Sequence, residues 1–323
     1  SVEAFALEQW RIRELPFAVS LPDAEDPDRM PDGLPDGIVT HFEGSADVAA
    51  AWYIDPTTRY RHGILGDAVE AGGLRVRTPE GQVLSFSLPE SEVFEDRYPR
   101  LADLDNDGLV EIVTIRSSLR SGASVTVYGL SQGAIVERAN TGFVGRLTRW
   151  LNVAGIGNFL GNENKQIAFV KSPHIGGTLF LFSYSSGALR QVVSMAGFSN
   201  HVIGSREMRL SAMADIDQYG RIELALPSDD RRFLRIVRFD EGSIGESARV
   251  KLPARIDKAI GTHRSGNEAR FIVGLDSGAT YEIYRLGDRN SVPSHSWTVS
   301  PAILRSGSAD FRSKTDIPGG RVD

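Results

Sequence analysis

Apolar residues in this chain fall in short alternating or β-branched runs, without the three-to-four-residue spacing of an amphipathic helix. The runs end at Gly, Asp, Asn or Ser, which favour turns. Strands are predicted at Ala51–Ile54, Leu74–Arg77, Val83–Leu88, Ile112–Ile115, Val125–Tyr128, Thr178–Ser183, Leu224–Leu226, Leu234–Phe239 and Tyr281–Arg285. The pattern therefore predicts an all-β protein with little helix.

The predicted strands recur in groups along the chain. Candidate innermost strands of these groups begin near Ala51, Leu101, Leu151, Ser211 and Asp257. Their intervals, about 46 to 60 residues, leave room for four antiparallel strands in each group. Because similar sheets can bury both faces only against their neighbours, five four-stranded units are predicted.

One nine-residue segment, Asp103-Leu-Asp-Asn-Asp-Gly-Leu-Val-Glu111, has carboxylates at its first, third, fifth and ninth places. Hard oxygen ligands in this number suit calcium, and the glycine permits a sharp turn. The segment lacks the flanking helices and the glutamate at the twelfth place that complete an EF-hand. We expect a Ca²⁺ ion to be held by Asp103, Asp105, Asp107, Glu111 and the backbone carbonyl of Leu109.

A second segment, Asp215-Ile-Asp-Gln-Tyr-Gly-Arg-Ile-Glu223, repeats this pattern with two changes. Tyr219 replaces the carboxylate at the fifth place, and Arg221 adds a positive charge. Calcium binding is therefore expected to be weaker or absent. The candidate ligands are the side chains of Asp215, Asp217 and Glu223 and the carbonyl of Arg221.

A third copy lies between Asn158 and Gln166 and has amides or leucine where the carboxylates would stand. We expect this loop to close through Asx-type hydrogen bonds without a metal. A fourth copy, Thr262–Glu268, has lost the motif. Calcium is thus expected in one loop, more weakly in a second, and in neither of the others.

The repeated loop and the apolar strand that follows it resemble the FG-GAP/VCBS repeat of integrin-α-like β-propellers, in particular bacterial extracytoplasmic ones. The resemblance covers roughly residues 50–286. It implies a β-propeller of four-stranded antiparallel blades, with each calcium loop joining the first two strands of a blade. Five blades are counted, and six or seven are the alternatives.

The resemblance implies three segments. Residues 1–49 contain an N-terminal strand and a Pro/Asp-rich excursion, 50–305 form the propeller, and 306–323 form a polar tail. A closed propeller has no exposed sheet edge, so a strand from one end of the chain should complete a blade formed by the other end. The candidates for this strand are Phe5–Ile12, Gly37–Phe42 and Trp297–Leu304.

Composition narrows the function classes. The absence of cysteine excludes disulfides, thiol catalysis and zinc–thiolate sites. A net charge of −6 without a basic stripe does not favour nucleic acid, and no apolar run approaches the length of a membrane span. The chain begins at Ser1 without a methionine, and calcium loops suit compartments rich in calcium. We expect a processed periplasmic or secreted protein.

In the family's geometry, the loops opposite the calcium loops form a second face. The residues sorted to it are Arg116, Arg120, Arg149, His174, His201, Arg206, Arg231 and Arg232. This positive charge would favour an anionic partner. The alternative is that the arginines only pair with nearby carboxylates. A metal or proton-transfer role for the two histidines is a further hypothesis, and the other histidines, His41, His62, His263 and His295, are interpreted as structural.

No nucleophile, zinc-protease or nucleotide-binding signature is present. Adjacent carboxylates occur at Glu95–Asp96 and Asp229–Asp230, but neighbours on an extended strand point to opposite faces and give little support for glycosidase chemistry. The leading hypothesis is an extracytoplasmic, calcium-stabilised module that binds a protein or an anionic glycan, more in keeping with a binding protein than with an enzyme. The alternative is a lyase or hydrolase that acts on polysaccharide through the axial channel.

Overall fold

The computed structural model describes residues 10–16, 32–265 and 268–286. Within these ranges every regular element is a β-strand, so the prediction of an all-β protein with little helix is confirmed. In the same residues no helix has the length and hydropathy of a membrane span.

Three sheets have four antiparallel strands each. The first contains β11 (Leu151–Gly157), β12 (Gln166–Lys171), β13 (Thr178–Ser185) and β14 (Ala188–Ala196). The second contains β15 (Ala212–Ala214), β16 (Glu223–Pro227), β17 (Phe233–Asp240) and β18 (Ser243–Lys251). The third contains β19 (Ile256–Ser265), β20 (Glu268–Leu275), β21 (Thr280–Arg285) and β1 (Trp10–Glu14).

A nine-stranded sheet contains two further four-stranded units. One consists of β2 (Thr40–His41), β3 (Ala50–Thr57), β4 (Glu70–Arg77) and β5 (Val83–Ser87). The other consists of β7 (Arg100–Ala102), β8 (Glu111–Ser118), β9 (Gly122–Ser131) and β10 (Ala134–Asn140). The short strand β6 (Glu92–Phe94) pairs with β4 and β8 and so joins the two. In chain order we name the units 1 (β2–β5), 2 (β7–β10), 3 (β11–β14), 4 (β15–β18) and 5 (β19–β21 with β1).

The N-terminal strand completes the last unit. Trp10 pairs with Arg285 and Glu14 with Tyr281. This strand overlaps the candidate Phe5–Ile12, of which the residues before Trp10 lie outside the described ranges. The candidate Gly37–Phe42 instead contains β2, the first strand of unit 1. Residues 297–304 and 306–323 also lie outside the described residues.

The strand predicted to be innermost near Ala51 is the second strand of its unit, because Thr40 and His41 pair with Ala51 and Ala50. A two-residue strand carries no alternating pattern that a sequence could show. The boundary expected between residues 49 and 50 therefore separates two strands that pair with each other.

Units that follow one another in the chain share hydrophobic cores. Four cores contain side chains from consecutive units, so both faces of the sheets in between are buried. Examples are Leu74 with Tyr128 for units 1 and 2, Val125 with Phe169 for units 2 and 3, Phe159 with Phe239 for units 3 and 4, and Ile236 with Phe271 for units 4 and 5.

We predict that Gly122→Ala destabilises the fold more than Gly133→Ala. Both glycines have positive φ, 73° and 75°. A Cβ at residue 122 would overlap the carbonyl oxygen of Arg146 and lie 2.7 Å from that of Arg149, whereas a Cβ at residue 133 meets nothing within 4 Å. Positive φ alone costs about 1–2 kcal/mol, and the overlap should add about 2 kcal/mol. Equal losses in denaturant unfolding would contradict this packing.

Candidate functional site

Two groups of loops lie at opposite ends of the strands. The turns between the first and second strands form the acidic-loop end, where Lys165 of unit 3 donates to the carbonyl of Asp103 in unit 2. Asp47 of unit 1 accepts from the backbone of Val110 at the same end. The turns after the second strands and the connections between units form the other end, which we call the histidine end after His62, His174 and His201.

The first acidic loop places the carboxylates of Asp103, Asp105 and Glu111 within 4.8 Å of one another. Asp103 accepts from the backbone nitrogens of Asp107 (3.2 Å) and Gly108 (3.1 Å). One carboxylate oxygen of Asp105 is buried without a hydrogen-bond partner. Burial, followed by the neighbouring carboxylates, raises the pKa of Glu111 to about 7. The loop thus concentrates negative charge that a cation would neutralise.

The second acidic loop repeats this geometry with Asp215, Asp217 and Glu223. Asp215 accepts from Gly220 nitrogen at 3.0 Å, and Glu223 accepts from Ile216 nitrogen at 3.0 Å. Glu223 is fully buried, one of its oxygens has no partner, and burial raises its pKa to about 8. Both acidic clusters could hold a metal ion.

The remaining predicted ligands lie in the same turns. Asp107, outside the close carboxylate group of the first loop, accepts from the backbone nitrogen of Leu109 at 2.8 Å. The guanidinium of Arg221 turns away from its loop, because it pairs with Asp240 at 2.8 Å and donates to the carbonyl of Phe239. Its positive charge is therefore partly neutralised outside the second cluster.

In the third loop an amide takes the place of a carboxylate. Gln166 occupies the place of Glu111 and Glu223, and its Oε1 accepts from the backbone of Phe159. Its Nε2 donates to the side chain of Asn162 and to the carbonyl of Asn164, at 3.0 and 2.9 Å. The Asx-type bond expected for this loop is present, from Asn162 nitrogen to Asn158 Oδ1.

The three loops also share a backbone conformation, with positive φ at the fourth and sixth places. The residues at these places are Asn106 and Gly108, Gly161 and Glu163, and Gln218 and Gly220. The turn therefore persists whether carboxylates or amides fill it.

At the histidine end, His174 and His201 are brought together as the sequence grouped them. His174 Nε2 lies 2.9 Å from His201 Nδ1, and Trp150 packs against both rings. His201 Nε2 lies 2.9 Å from the carbonyl of Ser205, which can only accept. When both rings are neutral, His201 must therefore carry its hydrogen on Nε2, and His174 Nε2 donates to His201 Nδ1.

Both of these histidines are held neutral. Burial lowers the pKa of His174 to about 3, with further lowering by His201, Arg231 and His62. Burial also lowers the pKa of His201 to about 4, against the raising effect of its bond to Ser205.

His62, interpreted from sequence as structural, lies at the same end and is tightly held. Its Nδ1 is 2.5 Å from Glu95 Oε1, and the hydroxyl of Ser117 donates to the other oxygen of Glu95. Glu95 and Ser117 are completely buried, whereas 13% of the His62 side chain is exposed. The sequence could not indicate this pair, because its members are 33 residues apart and match no motif.

A fully buried carboxyl, Glu70, lies near this pair. Neither of its oxygens has a hydrogen-bond partner. Burial and then Glu95, Asp67, Asp36 and Asp96 raise its pKa to about 10. Glu70 is therefore a neutral acid at pH 7, and the histidine end contains more carboxyl groups than the predicted basic face implied.

The predicted basic residues divide into paired and unpaired ones. Arg116 is held between Glu92 and Glu137, and Arg206 pairs with Asp67 at 3.0 Å. Arg231 is half-buried and donates only a long bond, 3.4 Å, to the carbonyl of Ile256. Within the described residues Arg149 has no side-chain partner, and Arg120 and Arg232 are exposed. Arg116 and Arg206 thus pair with nearby carboxylates, as the alternative to a ligand-binding role expected.

No protein-family model matches the chain, and no curated protein matches it. Among solved structures, rhamnogalacturonan lyase YesW is 14% identical, with a TM-score of 0.51 over 77% of this chain and 52% of its own. The likeness to YesW is one of fold. Exotype rhamnogalacturonan lyase YesX (82% and 57%) and the Bacillus licheniformis rhamnogalacturonan lyase PL11 (83% and 50%) are also 14% identical, each with a TM-score of 0.46. The chain spans about half the length of these enzymes.

We predict that replacing both His174 and His201 with Gln makes stability less sensitive to acid. Their folded-state pKa values lie below the unfolded value, so only the unfolded chain gains protons as pH falls from about 6.5 to 4. Stability is lost in that window, by roughly 2 kcal/mol for each histidine and about 4 kcal/mol for the pair at pH 5. Melting curves at pH 7 and 5 measure this, with His41→Gln as control. The same acid-induced loss in the double variant and the wild type would contradict the assignment.

Proposed function

We propose that the chain is a five-bladed β-propeller of the FG-GAP/VCBS type, exported to the periplasm or secreted. Five four-stranded units that share cores in chain order support it, as does the completion of unit 5 by β1. Contact between Gly204, in the connection from unit 3 to unit 4, and Ile64 of unit 1 brings units that are not consecutive together, which fits units arranged around a common axis.

We further propose that the two acidic loops bind Ca²⁺. The donor sets are carboxylate oxygens, which this hard cation prefers. Asp103, Asp105, Asp107 and Glu111 would hold it in the first loop, and Asp215, Asp217 and Glu223 in the second. Bound calcium would remove the repulsion among buried carboxylates and so stabilise the loops. Gln166 supports this proposal, because an amide donor takes the central place where the carboxylates are missing.

Substitution of the first loop position should reveal the calcium sites. Saturating calcium should raise the wild-type melting temperature by about 5 °C or more, since binding to the folded state alone adds a few kcal/mol. Asp103→Ala should remove most of this rise and Asp215→Ala a smaller part. The matched control is Asn158→Ala, which should keep the full rise. A calcium response that is unchanged in both aspartate variants would rule out these loops.

At the histidine end we propose a polysaccharide-binding surface. The observation that carries it is a neutral ring with an unused nitrogen. Among the described residues, His174 Nδ1 has no hydrogen-bond partner. Sugar hydroxyls can donate to such nitrogens, and the guanidinium of Arg231 can pair with a carboxylate on the chain. YesW acts on a polysaccharide, which makes this ligand class the first to test.

A protein partner is the second candidate for this end. Leu147, Ile175 and Ile203 are 52–66% exposed there. Exposed aliphatic side chains near one another are a feature of protein interaction surfaces. Ile175→Ser with Ile203→Ser should abolish binding to a protein but leave binding to a sugar chain largely intact.

We predict that the protein binds rhamnogalacturonan or polygalacturonate and does not bind neutral dextran. His174→Ala with Arg231→Ala should weaken binding by about tenfold or more, because a hydrogen bond and a charge pair are lost. Calorimetry at two salt concentrations measures this, with Arg190→Ala on β14 as the arginine control. Absence of binding to every polysaccharide, or equal binding by the double variant, would refute the proposal.

A further inference from the structure

We propose that His62 is a catalytic proton acceptor, positioned by Glu95, for cleavage by elimination of a uronate-containing polysaccharide. This inference rests on the proposed polysaccharide binding at the histidine end. The sequence left open two enzyme classes, a lyase and a hydrolase. The inference selects the lyase and identifies His62 as its base.

The imidazole of His62 is oriented for this role. Glu95 is fixed because Ser117 donates to one of its oxygens and the indole of Trp150 donates to its backbone carbonyl at 3.0 Å. The ring of Tyr60 meets the His62 ring edge-on, 5.8 Å between centroids. Burial raises the pKa of Glu95, but the hydrogen bonds from His62 and Ser117 oppose this shift by stabilising the carboxylate form. With Glu95 as a carboxylate, which can only accept, His62 Nδ1 carries the hydrogen and Nε2 keeps its lone pair. Nε2 has no partner among the described residues, and the side chain is partly exposed.

The carboxyl groups at this end do not suit hydrolysis. Glycoside hydrolysis ordinarily needs two carboxyl groups that flank the bond to be cleaved. Glu70, Glu95 and Asp96 are at most 1% exposed, so a bound polysaccharide cannot reach them. The more exposed Asp36 and Asp67 are both engaged by Arg206, at 3.5 and 3.0 Å. Asp229 and Asp230 are exposed in the turn after β16, but Asp230 already accepts from the Ser228 hydroxyl and the backbone of Arg232. The groups that we assign to catalysis are therefore the base His62 and the cation Arg231.

Elimination needs only those groups. Arg231 can pair with the uronate carboxylate, which makes the adjacent C5–H more acidic. His62 Nε2 takes the C5 proton, the electron pair of that bond forms the C4=C5 double bond, and the C4–O bond breaks. The leaving oxygen departs as an alcohol after taking a proton from solvent, and His62 returns its proton to solvent. No external oxidant or reductant is required.

The test combines binding and product formation on polygalacturonate and rhamnogalacturonan. Ultraviolet absorbance of the new double bond gives kcat and KM, and calorimetry gives affinity. His62→Gln should lower kcat by 100-fold or more, as expected for a lost general base, with affinity changed less than threefold. The matched control, His41→Gln on β2, should keep the wild-type rate.

Glu95→Gln tests positioning separately. Because Glu95 also joins three units, the melting temperature should fall in either case, and kcat is therefore compared per folded molecule. A positioning role predicts a lower kcat with little change in KM, whereas a purely structural role predicts fewer folded molecules with the wild-type kcat. Binding of polysaccharide without unsaturated product from either substrate would overturn this inference and leave the proposed binding function intact. Wild-type kcat in His62→Gln would also overturn it. Failure to bind any polysaccharide would refute both the catalytic role of His62 and the proposed binding function.

Discussion

Two adjacent buried carboxylates, Glu95 and Asp96, hold the first three units together. Asp96 accepts from the hydroxyl of Tyr53 in unit 1 and the guanidinium of Arg100 in unit 2. Glu95 contacts His62, Ser117 and Trp150, which belong to unit 1, unit 2 and the start of unit 3. Removing one partner of such a buried network typically costs about 3–5 kcal/mol. The same bonds that join the units therefore also position the imidazole of His62.

The two ends of the strands accommodate buried charged groups in different ways. At the acidic-loop end, carboxylates are grouped where a cation could neutralise them, and Gln166 supplies an amide donor where carboxylates are lacking. At the histidine end, burial and hydrogen bonds hold the groups in defined protonation states, with Glu70 a neutral acid and His174 and His201 neutral bases. The two ends therefore offer different chemistry to the ion binding proposed at one and the recognition and proton transfer proposed at the other.

The sequence predicted the strands and the acidic loops because both depend on local patterns. Val83–Leu88 matches β5, and the turn of the third loop closes as its amides indicated. It missed β6, which is too short to show alternation, and it assigned Gly37–Phe42, which contains β2, to propeller closure and not to unit 1. It also missed the contact of His62 with Glu95, because burial of Glu95 depends on three units meeting in space. The face predicted to be basic also holds several carboxyl groups. The sequence did not indicate this, because the adjacency of Glu95 and Asp96 does not reveal which residues they contact.

The central claim is that buried hydrogen bonds fix the hydrogens on the three histidines of this surface. Nitrogen NMR of the imidazole rings near pH 8 tests it directly, with each signal assigned by single His→Gln variants. The account predicts a hydrogen on Nδ1 of His62 and on Nε2 of both His174 and His201, with His62 Nε2 unprotonated. Protonation of His62 at Nε2, or rapid exchange between tautomers at that ring, would contradict it.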